Sequence, residues 1–165
     1  QGTSSPRKEE GQYMKRANLL RLMAILAVVV LASMTTGCLK ATITGKIEPQ
    51  PLALSKGDAL PGALTLTMTG WLAGGVFDNL DVEFFDAQSV SLKKLTNLTI
   101  DGLILAPVQK TASIELSAID GLVAPDELWD GDNFVGATAT FTVKPNATNY
   151  NLTPVVISGV GIIED

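Results

Sequence analysis

The chain has 165 residues, 12 basic and 17 acidic, with one cysteine and no histidine, which removes the commonest general acid–base and metal ligand and any intramolecular disulfide. Beyond residue 37, seven lysines, no arginine and 15 acidic residues argue against nucleic acid, whose binding rests on neutralised phosphates, and against bidentate clamping of phosphate or carboxylate. These absences point away from an enzyme, and no cofactor is expected, with calcium as the one candidate.

Residues 1–13 (QGTSSPRKEEGQY) are polar and read as a disordered segment upstream of Met14, the expected start. Residues 14–21 (MKRANLLR) are basic, and residues 22–32 (LMAILAVVVLA) form an uncharged apolar run of 11. That is the length of a signal-peptide core and short of the roughly 20 residues that span a bilayer. Ser33, Met34, Thr35, Thr36 and Gly37 follow, and then Cys38. Basic stretch, apolar run, small residues and cysteine in this order resemble the lipobox signal of bacterial lipoproteins, with Thr35 standing where leucine is usual. The resemblance implies a helical signal segment over 14–37, cleaved before Cys38, and acylation of Cys38, palmitate included. Several acyl chains on one cysteine meet the two-signal requirement for stable anchoring. It further implies a secreted domain held by its N-terminal lipid at the cell membrane or outer membrane, facing the periplasm or the exterior. Leu39, in place of an aspartate after the cysteine, points to the outer membrane. The alternative is an uncleaved anchor helix, because Leu22 to Leu39 is 18 residues without charge.

From Cys38 to Asp165 the apolar residues recur with period two, the signature of half-buried strands. Ala41, Ile43, Gly45 and Ile47 alternate with Thr42, Thr44 and Lys46; Leu64, Leu66 and Met68 alternate with Thr65, Thr67 and Thr69. Ile114, Leu116 and Ala118 alternate with Ser113, Glu115 and Ser117, and Val135, Ala137, Ala139, Phe141 and Val143 with Gly136, Thr138, Thr140 and Thr142. The inward rows are expected to bury Leu64, Leu66, Val82, Phe84, Ile114, Leu116, Ala139 and Phe141 together. Turns are expected at Pro49–Pro51, Lys56–Asp58, Asp86–Ser89, Asp101–Gly102, Asp120–Gly121, Asp130–Gly131 and Lys144–Asn146. One short helical turn is expected at Pro125–Trp129. The fold class is therefore all-β, one domain over 38–165. The edge strand, turn and second strand of residues 47–69, the hairpin of residues 80–95 and the bend of residues 105–111 resemble extracellular immunoglobulin-like modules of bacteria. That resemblance implies an antiparallel immunoglobulin-like β-sandwich of seven or eight strands, and it carries no functional residues with it.

Two acidic clusters are candidates for chemistry: Asp78, Asp81, Glu83 and Asp86 around one strand, and Asp120, Asp126, Glu127, Asp130, Asp132 and Asn133 in a loop. Asp126, Asp130, Asp132 and Asn133 offer the hard oxygen ligands that calcium takes, although the spacing is not that of an EF-hand. The competing reading is a solvated acidic loop that maintains solubility and blunts edge pairing. Trp71 and Trp129 could stack on a sugar; an indole in a small sandwich more commonly fills a core or pins a loop. Paired carboxylates could also serve glycoside hydrolysis, but no cleft is evident for them. Asn97, Asn146 and Asn151 open Asn-X-Thr triplets that the threonine-rich strands explain by composition. The leading expectation is a non-enzymatic, lipid-anchored envelope protein that presents a protein-interaction or structural surface. The alternative is a calcium- or carbohydrate-binding module centred on residues 126–133.

Overall fold

A computed structural model describes residues 41–70, 74–148 and 152–165; the expected signal segment and Cys38 lie outside them. The chain divides after Leu39, and Lys40–Asp165 is one compact unit. It is all-β: among the described residues the helical content is two 3-10 turns, Leu116–Ala118 and Asp126–Leu128.

The period-two rows form strands with the faces the alternation dictates. In β1 (Thr42–Glu48) the threonines and Lys46 face water and Ile47 is buried; in β3 (Ala63–Thr69) Leu64, Leu66 and Met68 are buried. β1 pairs antiparallel with β3, which pairs antiparallel with β6 (Thr111–Glu115), and the three make one sheet. Two prolines then interrupt the first strand. A proline has no amide hydrogen for a ladder, and after Pro49 and Pro51 the chain changes partner. β2 (Leu52–Leu54) runs parallel to β10 (Val155–Glu164), at the edge of a five-stranded sheet that continues through β9 (Gly136–Pro145) and β4 (Gly75–Asp86) to β5 (Ser91–Leu105), in the order β2-β10-β9-β4-β5. This parallel pair departs from the purely antiparallel expectation. In all there are ten described strands, eight of them in these two sheets.

β4 (Gly75–Asp86) and β9 (Gly136–Pro145) are the sheet's centre, and their inward residues Phe77, Leu80, Val82, Phe84, Ala139, Phe141 and Val143 join those of β3 in one apolar core. Among the described residues, no polar or charged side chain is buried in it. Burial at about 25 cal/mol per Å² of apolar surface stabilises such a core, which accounts for a fold without a disulfide. Gly45 leaves room for Ile157 of β10 against β1: a Cβ there would lie 2.5 Å from Ile157 Cδ1, so that side chain would have to shift.

Two expectations are corrected. Asp101–Gly102 is no turn, because β5 (Ser91–Leu105) continues through it. Phe77 pairs with Leu103 and Asn79 with Thr99, so Asp78 faces three residues, and Gly102 takes a left-handed φ of 62° inside this bulge. Glycine tolerates that φ without steric cost. The expected strand through Ala118 also ends early, at Glu115; a 3-10 turn follows, burying Leu116 and leaving Ala118 exposed.

Candidate functional site

The four carboxylates of the first cluster all lie on β4, and each is half-buried. Asp86 Oδ1 accepts the amides of Gln88 (2.9 Å) and Val90 (2.8 Å), closing the hairpin into β5. This is the local side chain to backbone bonding for which aspartate is favoured at turns. Glu83 accepts the Ser91 hydroxyl at 2.8 Å and lies 3.7 Å from the Lys94 ammonium. Asp81 Oδ1 accepts the amide of Asn97 at 2.9 Å, and its Oδ2 lies 2.7 Å from Lys144 Nζ. Asn97 has a φ of 57° and sits in a second bulge, where Leu80 pairs with Leu98 and Val82 with Leu95. Asp81 thus stabilises a backbone turn across the strand pair. Asp78 accepts the side-chain amides of Asn79 and Asn146.

Burial pushes the Asp81 carboxyl up, but the hydrogen bond from Lys144, the Asn97 amide and the charges of Lys144 and Lys94 together outweigh it and hold the carboxyl below its ordinary range. A general acid would need the opposite shift. The hydrogen bonds and ion pairs of the cluster fasten β4 to β5 and β9.

The second cluster is arranged differently. Asp126, Glu127, Asp130, Asp132 and Asn133 are all exposed. Glu127 lies 2.6 Å from Lys93 Nζ, whose hydrogen bond holds its carboxyl below the usual range; Asp126 lies 4.0 Å from Lys56. Asp130 and Asn133 pair across a minimal hairpin of β7 (Trp129–Asp130) and β8 (Asn133–Phe134), turned by Gly131 at a φ of 65°. Among the described residues, no three His, Cys, Asp or Glu side chains are gathered closely enough to hold a metal ion.

Trp129 is half-buried beside this loop. Its indole N–H donates to Glu164 at 2.9 Å, and its ring meets Phe134 edge-to-face with centroids 5.1 Å apart. Both polar and apolar parts of the indole are therefore engaged within the domain, a loop-pinning arrangement. Trp71 lies outside the described residues, as does Asn151. Asn97 is exposed in its bulge, whereas the Asn146 side chain is taken up by Asp78 and by the Thr148 amide and hydroxyl. Among the described residues no helix is long and apolar enough to cross a membrane.

Sequence reasoning missed the roles of Asn97 and Asp81 in the bulge. The available signal was an aspartate and an asparagine on strands expected to form a hairpin, because asparagine tolerates the left-handed region. The protein-family models contain no match to this chain, and neither do the curated proteins.

Proposed function

We propose that the chain is a non-enzymatic lipoprotein of the bacterial cell envelope, anchored through acylated Cys38, whose immunoglobulin-like β-sandwich presents a protein-interaction surface. The observation that carries the reading is a coincidence of boundaries. The lipobox-like run ends at Cys38, and the compact β unit begins at Lys40. Cleavage before Cys38 leaves that unit whole. The sandwich is supported by the strand order. β1, β3 and β6 form one sheet and β2, β10, β9, β4 and β5 another, and their inward residues share one apolar core, which is compatible with an immunoglobulin-like sandwich. The non-enzymatic reading is supported by the absence of histidine from the chain and of arginine beyond residue 37, and by β4 carboxylates that are each committed to a structural partner.

Intact mass of protein extracted from membranes tests the anchor. Wild type is expected to begin at Cys38 and to carry acyl chains, and Cys38→Ser to accumulate as the unprocessed form. An unmodified thiol at Cys38 in the wild type overturns the reading. Crosslinking in intact cells, followed by recovery of the protein, is expected to capture a defined protein partner.

A further inference from the structure

One end of the β unit gathers the start of β1, the end of β3 and the turn between β5 and β6. Thr42 lies opposite Thr69, Thr67 lies opposite Thr111, and the Met68 amide donates to the Lys110 carbonyl at 2.7 Å. The turn itself, Ala106–Gln109, is closed by reciprocal backbone hydrogen bonds of 2.9 and 3.0 Å. At its tip Val108 is 98% exposed, the most exposed large apolar side chain among the described residues, with Ile104 at 48% just before it. Glycine, asparagine and aspartate are the residues that such a turn favours. A branched apolar side chain at that tip does nothing for the fold.

The charges are divided along the same axis. Asp86 pairs with Gly136, the first residue of β9, and the Trp129 indole reaches Glu164 at the end of β10. Asp86, Glu164 and the acidic loop of residues 126–132 therefore sit at the far end. The ten residues of β9 separate the two ends by roughly 30 Å at ~3.3 Å per residue. Near the turn are exposed Lys110 and two acids, Asp101 and the doubly hydrogen-bonded Asp78.

We propose that in the acylated protein the turn at Ala106–Lys110 rests on the lipid surface, with Val108 among the headgroups and the acidic end turned away. This rests on the acylation of Cys38 proposed above. Four residues lead from Cys38 to Thr42 and reach at most about 14 Å, so the end of the unit bearing β1's start stays at the headgroup layer. The upright pose also holds the acidic loop several screening lengths from an anionic surface, since that length is about 8 Å at physiological ionic strength. Any strong tilt brings those carboxylates into the repulsive layer.

The test uses the full acylated chain in vesicles of phosphatidylethanolamine and phosphatidylglycerol. An environment-sensitive dye is placed on Val108→Cys or, at the far end, on Asp132→Cys. Acylation blocks the Cys38 thiol, so the dye goes only to the introduced residue, and both sites are exposed enough to accept it. The Val108→Cys dye is expected to emit further to the blue and to be quenched several-fold more by nitroxide-bearing lipids than the Asp132→Cys dye. Equal, water-like emission at both positions, on protein whose mass carries the acyl chains, overturns the docking and leaves the anchor standing. A mass that shows a free thiol at Cys38 overturns the anchor and the docking with it.

Discussion

The two acidic regions have similar compositions and opposite physical roles. On β4, Asp78, Asp81, Glu83 and Asp86 are half-buried and each accepts at least one hydrogen bond from a neighbouring strand or turn. In the loop, Asp126, Glu127, Asp130 and Asp132 are exposed, and among the described residues only Asp126 and Glu127 have a lysine within 4.0 Å. A carboxylate that replaces its water shell with amide and ammonium donors fixes local backbone geometry, whereas one left in water is screened and contributes little. Acidic clustering in a sequence is thus no measure of a site; the donors that face the cluster decide.

The strongest perturbation lies beneath the β4 row. Phe84 and Phe141 are fully buried, facing the core from neighbouring strands. Either one changed to alanine is expected to cost about 3–5 kcal/mol through lost transfer energy and the residual cavity. Thr140→Ser, on the opposite face of β9, is expected to cost less than about 0.5 kcal/mol. Urea unfolding measures both, and a small loss for Phe84→Ala would mean that the inward row has been misplaced.

Next in size is Asp81→Asn. It removes the charge that pairs with Lys144 and weakens the acceptor for the Asn97 amide, an expected loss of about 1–2 kcal/mol. The pH dependence supplies a sharper reading. The folded Asp81 carboxyl is held below its ordinary value, so its contribution is fully present above the unfolded pKa, about 3.9. It is lost as the pH falls through the lower, folded value. Asp81→Asn is therefore expected to flatten the acid limb of the stability curve below about pH 4. Exposed Glu127 is held low as well, by Lys93; salt is expected to erase its share and to spare most of that from half-buried Asp81. An acid limb that is unchanged in Asp81→Asn would contradict the role assigned to the bulge.

The contrast also explains what could be read before the fold was known. Leu64, Leu66, Val82, Phe84, Ala139 and Phe141 are buried as the alternation requires, because a period of two leaves one choice of inward face; Leu116 is buried too, but by the 3-10 turn after β6 rather than by a strand. Ile114 is only half-buried, being on the short edge strand β6. Asp86 was legible as a turn residue because its partners are within four positions. Asp81 was not: its donors lie 16 positions away at Asn97 and far along the chain at Lys144, so only the sheet brings them together. Asp101–Gly102 carries the same local signal in a turn and in a bulge, and long-range pairing chooses between them. The parallel pair of β2 with β10 likewise depends on residues from both ends of the domain. Exposure of Val108 has no sequence signal beyond its place in a bend.

The gentlest test is the double change Asp130→Asn with Asp132→Asn. Both side chains are exposed, and neither lies within 4.0 Å of a lysine among the described residues. Their mutual repulsion and that of Asp126 and Glu127 is screened at moderate salt. The stability change is therefore expected to stay within about 0.5 kcal/mol, leaning towards a gain at low salt, where relief of repulsion counts most. Trp129 should keep its fluorescence, because its anchors are Glu164 and Phe134 rather than the changed residues. A calcium titration followed by thermal unfolding completes the comparison. A ligand that binds only the folded state raises the melting temperature with its concentration, so a rise in wild type that the double change abolishes would mean that the loop closes around a metal. No rise in either protein leaves the loop as solvated charge and keeps the two acidic regions physically distinct.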